Sequence, residues 1–138
     1  MINLTNDIYT HLTSVSALTT MTEGRIWGDS NFPPQSHRPD DGPALTFRPR
    51  GGFLDYTTKV WHISYQFKCY GETDHASMSP QQSSYALYEV LCDNINEKSF
   101  GSVRYSYVSV PQQAFTENFP TTWPFYLAFV DFLALNPT

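Results

Sequence analysis

The densest set of groups able to move a proton lies at residues 72–75, where Glu72, Asp74 and His75 stand close together in a polar stretch. An imidazole oriented by a neighbouring carboxylate is the ordinary make-up of a general base. The same stretch also reads as a solvated loop ahead of a helix, and nothing else in the chain converges on it. The remaining histidines, His11, His37 and His62, are scattered, and none stands at metal-ligand spacing from another His or a Cys. No HExxH, paired CxxC, phosphate-cradling GxxxxGK(S/T), GxGxxG or GxSxG pattern occurs. Cys69 and Cys92 fall on the inward faces of predicted elements, away from basic side chains that would stabilise a thiolate; they could meet in the core, but free buried thiols are the expectation. Asp131 stands inside an apolar run. Buried without a partner it would cost several kcal/mol, so it is expected to face water or a neighbouring subunit. His62, on the polar side of its strand, is expected at solvent or an interface. No catalytic or metal-binding residue and no cofactor is assigned.

Composition points the same way. The 138 residues suit one domain. Charged residues make up 15% of the chain, well below the usual figure of about 25%, while aromatics reach 16%. Few charges and many Tyr, Phe and Trp suit a surface partly hidden in an assembly, and equally a domain with an aromatic core. Eight basic against thirteen acidic residues leave no electrostatic footprint for sequence-specific nucleic-acid binding. No apolar leader opens the chain and no window approaches the ~18 apolar residues of a membrane span, so synthesis is expected in the cytoplasm with no membrane partner.

The elements that would position these groups are legible from periodicity. Residues 4–21 read as a Thr- and Ser-rich helix, carried by Ile8, Leu12 and Leu18, with a break near Ser14–Ser16. Arg25, Ile26 and Trp27 read as a short strand. Residues 28–43 hold four prolines and two glycines, a loop too long for an idle connection. A strand is expected at residues 44–48, a turn at Pro49-Arg50-Gly51-Gly52, and a hairpin back into residues 59–70. In that long strand Trp61, Ile63, Tyr65, Phe67 and Cys69 alternate with His62, Ser64, Gln66 and Lys68, an apolar face against a polar one.

Ser79-Pro80-Gln81-Gln82 is a capping box with proline at the first helical position, opening a helix to about Lys98 with Tyr85, Tyr88, Leu91, Cys92 and Ile95 inward. A strand over residues 103–110 should set Val103, Tyr105 and Tyr107 against Arg104, Ser106 and Val108. The run Trp123–Leu135 is apolar on both faces, as in a central strand or one under a partner subunit. The fold class is α+β: a mostly antiparallel sheet of about four or five strands with helices packed on one face. The single domain, residues 1–138, carries long loops at about 28–43, 49–57 and 111–122.

This order of elements resembles the tail terminator family of long-tailed bacteriophages, the minor tail protein U-like proteins. The carrying residues are Ile8, Leu12, Ala17 and Leu18, then Gly24-Arg25-Ile26-Trp27, then Pro43-Ala44-Leu45-Thr46-Phe47. They continue with Phe67-Lys68-Cys69-Tyr70-Gly71 and the helix bearing Tyr85, Ala86, Leu91 and Ile95. The resemblance spans nearly the whole chain and implies a non-enzymatic virion protein of the tail neck, assembled in the host cytoplasm. Such proteins form a homohexameric ring that caps the head-proximal end of the tail tube, stops tube polymerisation and docks the head-side connector. The implied partners are further copies of the chain, the tail tube protein and the connector or neck protein, plus the sheath where a tail is contractile, with DNA passing through the ring. Arg48, Arg50, Phe53, Leu54 and Tyr56 are then expected to face tube or connector, and Phe32, Phe115, Phe119 and Trp123 to lie at the subunit interface. Two alternatives stand beside this reading: a head-to-tail connector or other neck protein, and a small ligand-binding domain or enzyme using His75.

Overall fold

The strand with the clearest alternation lies at the centre of the packing. In the computed structural model, which describes residues 3–30, 32–34, 36–73, 77–109, 113–117 and 123–135, it is β3, Val60–Tyr70. The other elements are α1 (Thr5–Ser14), α2 (Ser16–Thr22), β1 (Ile26–Gly28), a 3-10 turn at Pro39–Asp41 and β2 (Ala44–Asp55). After β3 come α3 (Pro80–Ile95), β4 (Lys98–Phe100), β5 (Val103–Val108), β6 (Gln113–Glu117) and β7 (Trp123–Leu135). The α+β class holds, but the sheet has seven strands among the described residues, in the order β1-β2-β3-β7-β5-β4 with β6 also on β7. It is also mixed, because β1 runs parallel to β2.

That parallel pair explains the long Pro-rich connection. Two parallel strands need a crossover of a dozen or more residues, and residues 28–43 supply it. β7 is the other organising strand. β3 occupies one of its edges from Phe125 to Leu135, while β5 and β6 share the opposite edge end to end. This accounts for an apolar run with no alternation: both edges are paired and neither face is fully wet.

Among the described residues the three helices lie on one side of the sheet. Ile63, Tyr65 and Phe67 of β3 and Val130, Phe132 and Ala134 of β7 meet Ile8 and Leu12 of α1, Leu18 of α2, and Leu87, Leu91 and Ile95 of α3 in one buried core. The expected break between α1 and α2 falls at Val15, whose extended backbone interrupts the helix. Because α1 has poor intrinsic helicity, tertiary bonds hold it. The Leu4 amide donates to the Tyr65 hydroxyl at 3.2 Å, Asp7 accepts from the Ser102 amide at 3.2 Å, and His11 stacks on Phe100 at 4.1 Å. The capping box at α3 is present, Ser79 accepting from the Gln82 amide and the Gln82 side chain from the Ser79 amide. The helix stops at Ile95, and Lys98 opens β4 instead of closing α3.

Three expectations are corrected. Pro49-Arg50-Gly51-Gly52 is a β-bulge within β2, so residues 49–55 are strand, and the hairpin turn falls at residues 56–59. A second irregularity between Val103 and Tyr105 reverses the faces expected in β5: Val103 and Ser106 are buried, while Tyr105 is exposed. The segment 111–122 is not wholly loop, since it contains β6.

Candidate functional site

A strand face is set by counting residues, so one extra residue inverts everything after it. In β2, Pro49 pairs with Tyr65 and Gly51 with Ser64, leaving Arg50 as the extra residue. Phe53 therefore stands beside His62 on the face away from the helices, its ring stacked on the imidazole at 4.6 Å and 6°. Gly52 is required here because a Cβ would run into the backbone carbonyl of His62. Across β7, the irregularity in β5 places Tyr105 and Tyr107 beside Leu133 and Asp131 on the same outer face.

These two distortions wall a hollow of about 460 Å³ lined by Arg50, Phe53, His62, Ser64, Tyr107 and Asp131. The Arg50 guanidinium sits 3.9 Å over the Phe129 ring, a cation–π contact. The Tyr107 hydroxyl is hydrogen-bonded to Asp131, and partial burial followed by that carboxylate's charge raises the tyrosine pKa. Asp131 thus faces the outer hollow with a hydrogen-bond partner. The hollow sets one cation, one carboxylate, an imidazole and aromatic rings side by side.

The other end of the outer face is covered by the Pro-rich crossover. Ala44, Tyr70 and Phe125 form a small second core, with Trp27 and Leu127 against it. The Lys68 ammonium lies 4.6 Å from the Phe32 ring and 4.9 Å from Phe125. His37 packs on Trp27 at 5.2 Å and approaches Asp41 at 3.5 Å. Burial lowers its pKa, against the pull of Asp41, with Arg25 lowering it further.

No protein-family model and no curated protein matches the chain. Among solved structures, one chain superimposes with a TM-score of 0.68 over 95% of this chain and 94% of its own length, at 11% identity. Its structure is described as "Virion of native gene transfer agent (GTA) particle". The likeness is one of fold.

The residues singled out from sequence are placed unevenly. Arg48, Arg50, Phe53, Leu54 and Tyr56 all belong to the β2–β3 hairpin, with Phe53 61% and Tyr56 76% exposed. Phe32 is exposed on the crossover, 56% accessible over Lys68. Phe115 lies in β6 and Trp123 begins β7, whereas Phe119 lies outside the described residues. His75 and Asp74 also lie outside them. Cys69 is buried and Cys92 half-buried, both free, and burial holds the Cys69 thiol well above its ordinary pKa. Among the described residues no group of three His, Cys, Asp or Glu is placed to hold a metal ion, and no helix is long and apolar enough to cross a membrane. Sequence reading missed Tyr107, Phe129 and the Trp27–His37 contact. The Gly51-Gly52 pair inside a strand was the one available signal, since such glycines also mark bulges.

Proposed function

We propose that this chain is a structural protein of a phage-like virion, a ring-forming tail terminator. In this reading it caps the head-proximal end of the tail tube, stops tube growth and presents a docking surface to the head-side connector. The observation that carries the reading is the whole-length fold likeness to a chain of a gene transfer agent virion. The residue-level resemblance to tail terminators agrees with it and arises from the sequence alone. Further support comes from the long β2–β3 hairpin with exposed Phe53 and Tyr56, and from the half-open outer face with Arg50, Phe129 and Tyr107. Surfaces of this kind, aromatic with a few placed cations, suit association with other proteins.

The test mixes the purified chain with polymerising tail tube protein of the same particle. Native mass spectrometry reads the assembly state, and electron microscopy reads tube length and tube ends. A ring seated on one end of tubes that cease to grow is the expected result. Tubes that elongate without limit, with the chain unbound, would overturn the assignment. Binding to the connector with no effect on the tube would move the chain to the neck.

A further inference from the structure

We infer that neighbouring copies of this chain join head to tail, the β2–β3 hairpin tip of one docking into a groove along α3 of the next. The inference rests on the ring reading and specifies its interface. A closed ring of one chain needs two different, complementary patches on each subunit, and the molecule separates its charges into two such patches. The hairpin carries Arg48, Arg50, Lys59 and Lys68, four of the eight basic residues, with Lys59 in the turn itself. Its single acid, Asp55, is held in the turn by the Thr57 and Thr58 amides, at 2.9 and 3.4 Å. At the tip Tyr56 is 76% exposed, with the Lys59 ammonium 5.6 Å from its ring.

The complementary patch is a hollow of about 740 Å³ lined by Gln82, Tyr85, Glu89, Val90 and Asp93 of α3 and by Tyr126 of β7. Its walls hold two acids and no base. Glu89 and Asp93 stand four residues apart on one helical face, where like charges repel, and neither is in a salt bridge among the described residues. Tyr85 and Tyr126 meet edge to face at 5.2 Å, a preformed aromatic floor. The two patches are also well separated. The hairpin turn adjoins Val60, which pairs with Leu135 at the end of β7, while Tyr126 stands near that strand's start. At about 3.3 Å per residue the two points lie some ~30 Å apart along the central strand. One subunit's tip therefore reaches its neighbour's groove and not its own.

The test uses the full chain with Cys92→Ser, which keeps a hydroxyl for Tyr88, and adds either Tyr56→Cys or Glu89→Cys. Each protein is treated with a bis-maleimide alone and as a mixture, with and without tail tube protein. Light scattering on the untreated wild type reads mass, and circular dichroism checks folding. Cross-linked dimers in the mixture only, at least tenfold over either protein alone, are expected. Cross-linking of one variant to itself would show a two-fold contact and overturn the inference. A wild-type ring with no cross-link would overturn this interface while leaving the ring reading intact. A wild type that stays monomeric even on the tube would overturn both.

Discussion

His37 shows how one buried side chain can tie a loop to a sheet. Its pKa is lowered from 6.5, chiefly by burial against Trp27, with Asp41 and Asp40 opposing and Arg25 assisting. The unfolded chain therefore takes up this proton at higher pH than the folded chain. The stability it confers is complete above about pH 6.5, declines as the pH falls and is lost below the folded value. Thermal unfolding of the wild type should lose midpoint temperature between pH 7.5 and 5.5, and His37→Gln should flatten that slope. A slope unchanged by the substitution would remove His37 from the account. Phe132 is a different case: fully buried, it meets Tyr65 edge-on at 5.6 Å and Phe100 at 6.2 Å. Phe132→Ala should cost about 3–5 kcal/mol in urea unfolding, a large part of the ~5–15 kcal/mol that holds a domain folded.

The elements that sequence alone could place are those whose cause is local. The capping box of Ser79 and Gln82 marks the start of α3, and Ser79→Ala should lower stability by about 1 kcal/mol, read by denaturant titration. The break between α1 and α2 and the two faces of β3 were equally legible. The Pro49–Gly52 segment was not, because glycine pairs serve tight turns and bulges alike. What selects the bulge is β3, which offers pairing partners to β2 as far as Asp55 and so draws the strand past the expected turn. Gly52→Val would set a branched Cβ against the His62 carbonyl. It should destabilise the protein by about 1–3 kcal/mol and disturb the Phe53–His62 stack, visible as a shift of the His62 ring resonances.

For the molecule as a whole, the outer face divides into a covered half and an open half. The crossover bearing Phe32 and His37 closes one end, and the hairpin leaves the hollow around Arg50 and Asp131 open. Phe53→Asp should leave the melting temperature within a few degrees, since that ring is already 61% exposed. The same change, or reversal of charge at Arg50, should reduce ring formation or tail joining, measured by native mass and by counting joined particles. Loss of folding with undiminished assembly in the remaining soluble protein would contradict the assignment of this face.

Sequence by itself determined the α+β class, the helices, the two long strands and the low-charge, aromatic-rich composition. Each of these follows from periodicity, capping chemistry or composition, which act within a few residues or over the chain as a sum. Only the tertiary structure decided the parallel β1–β2 pair, the sharing of one edge of β7 by β5 and β6, and the faces presented by Phe53 and Tyr105. Those depend on register between strands far apart in sequence. A single inserted residue in one partner reverses a face, and nothing local to that residue records which face the partner will impose.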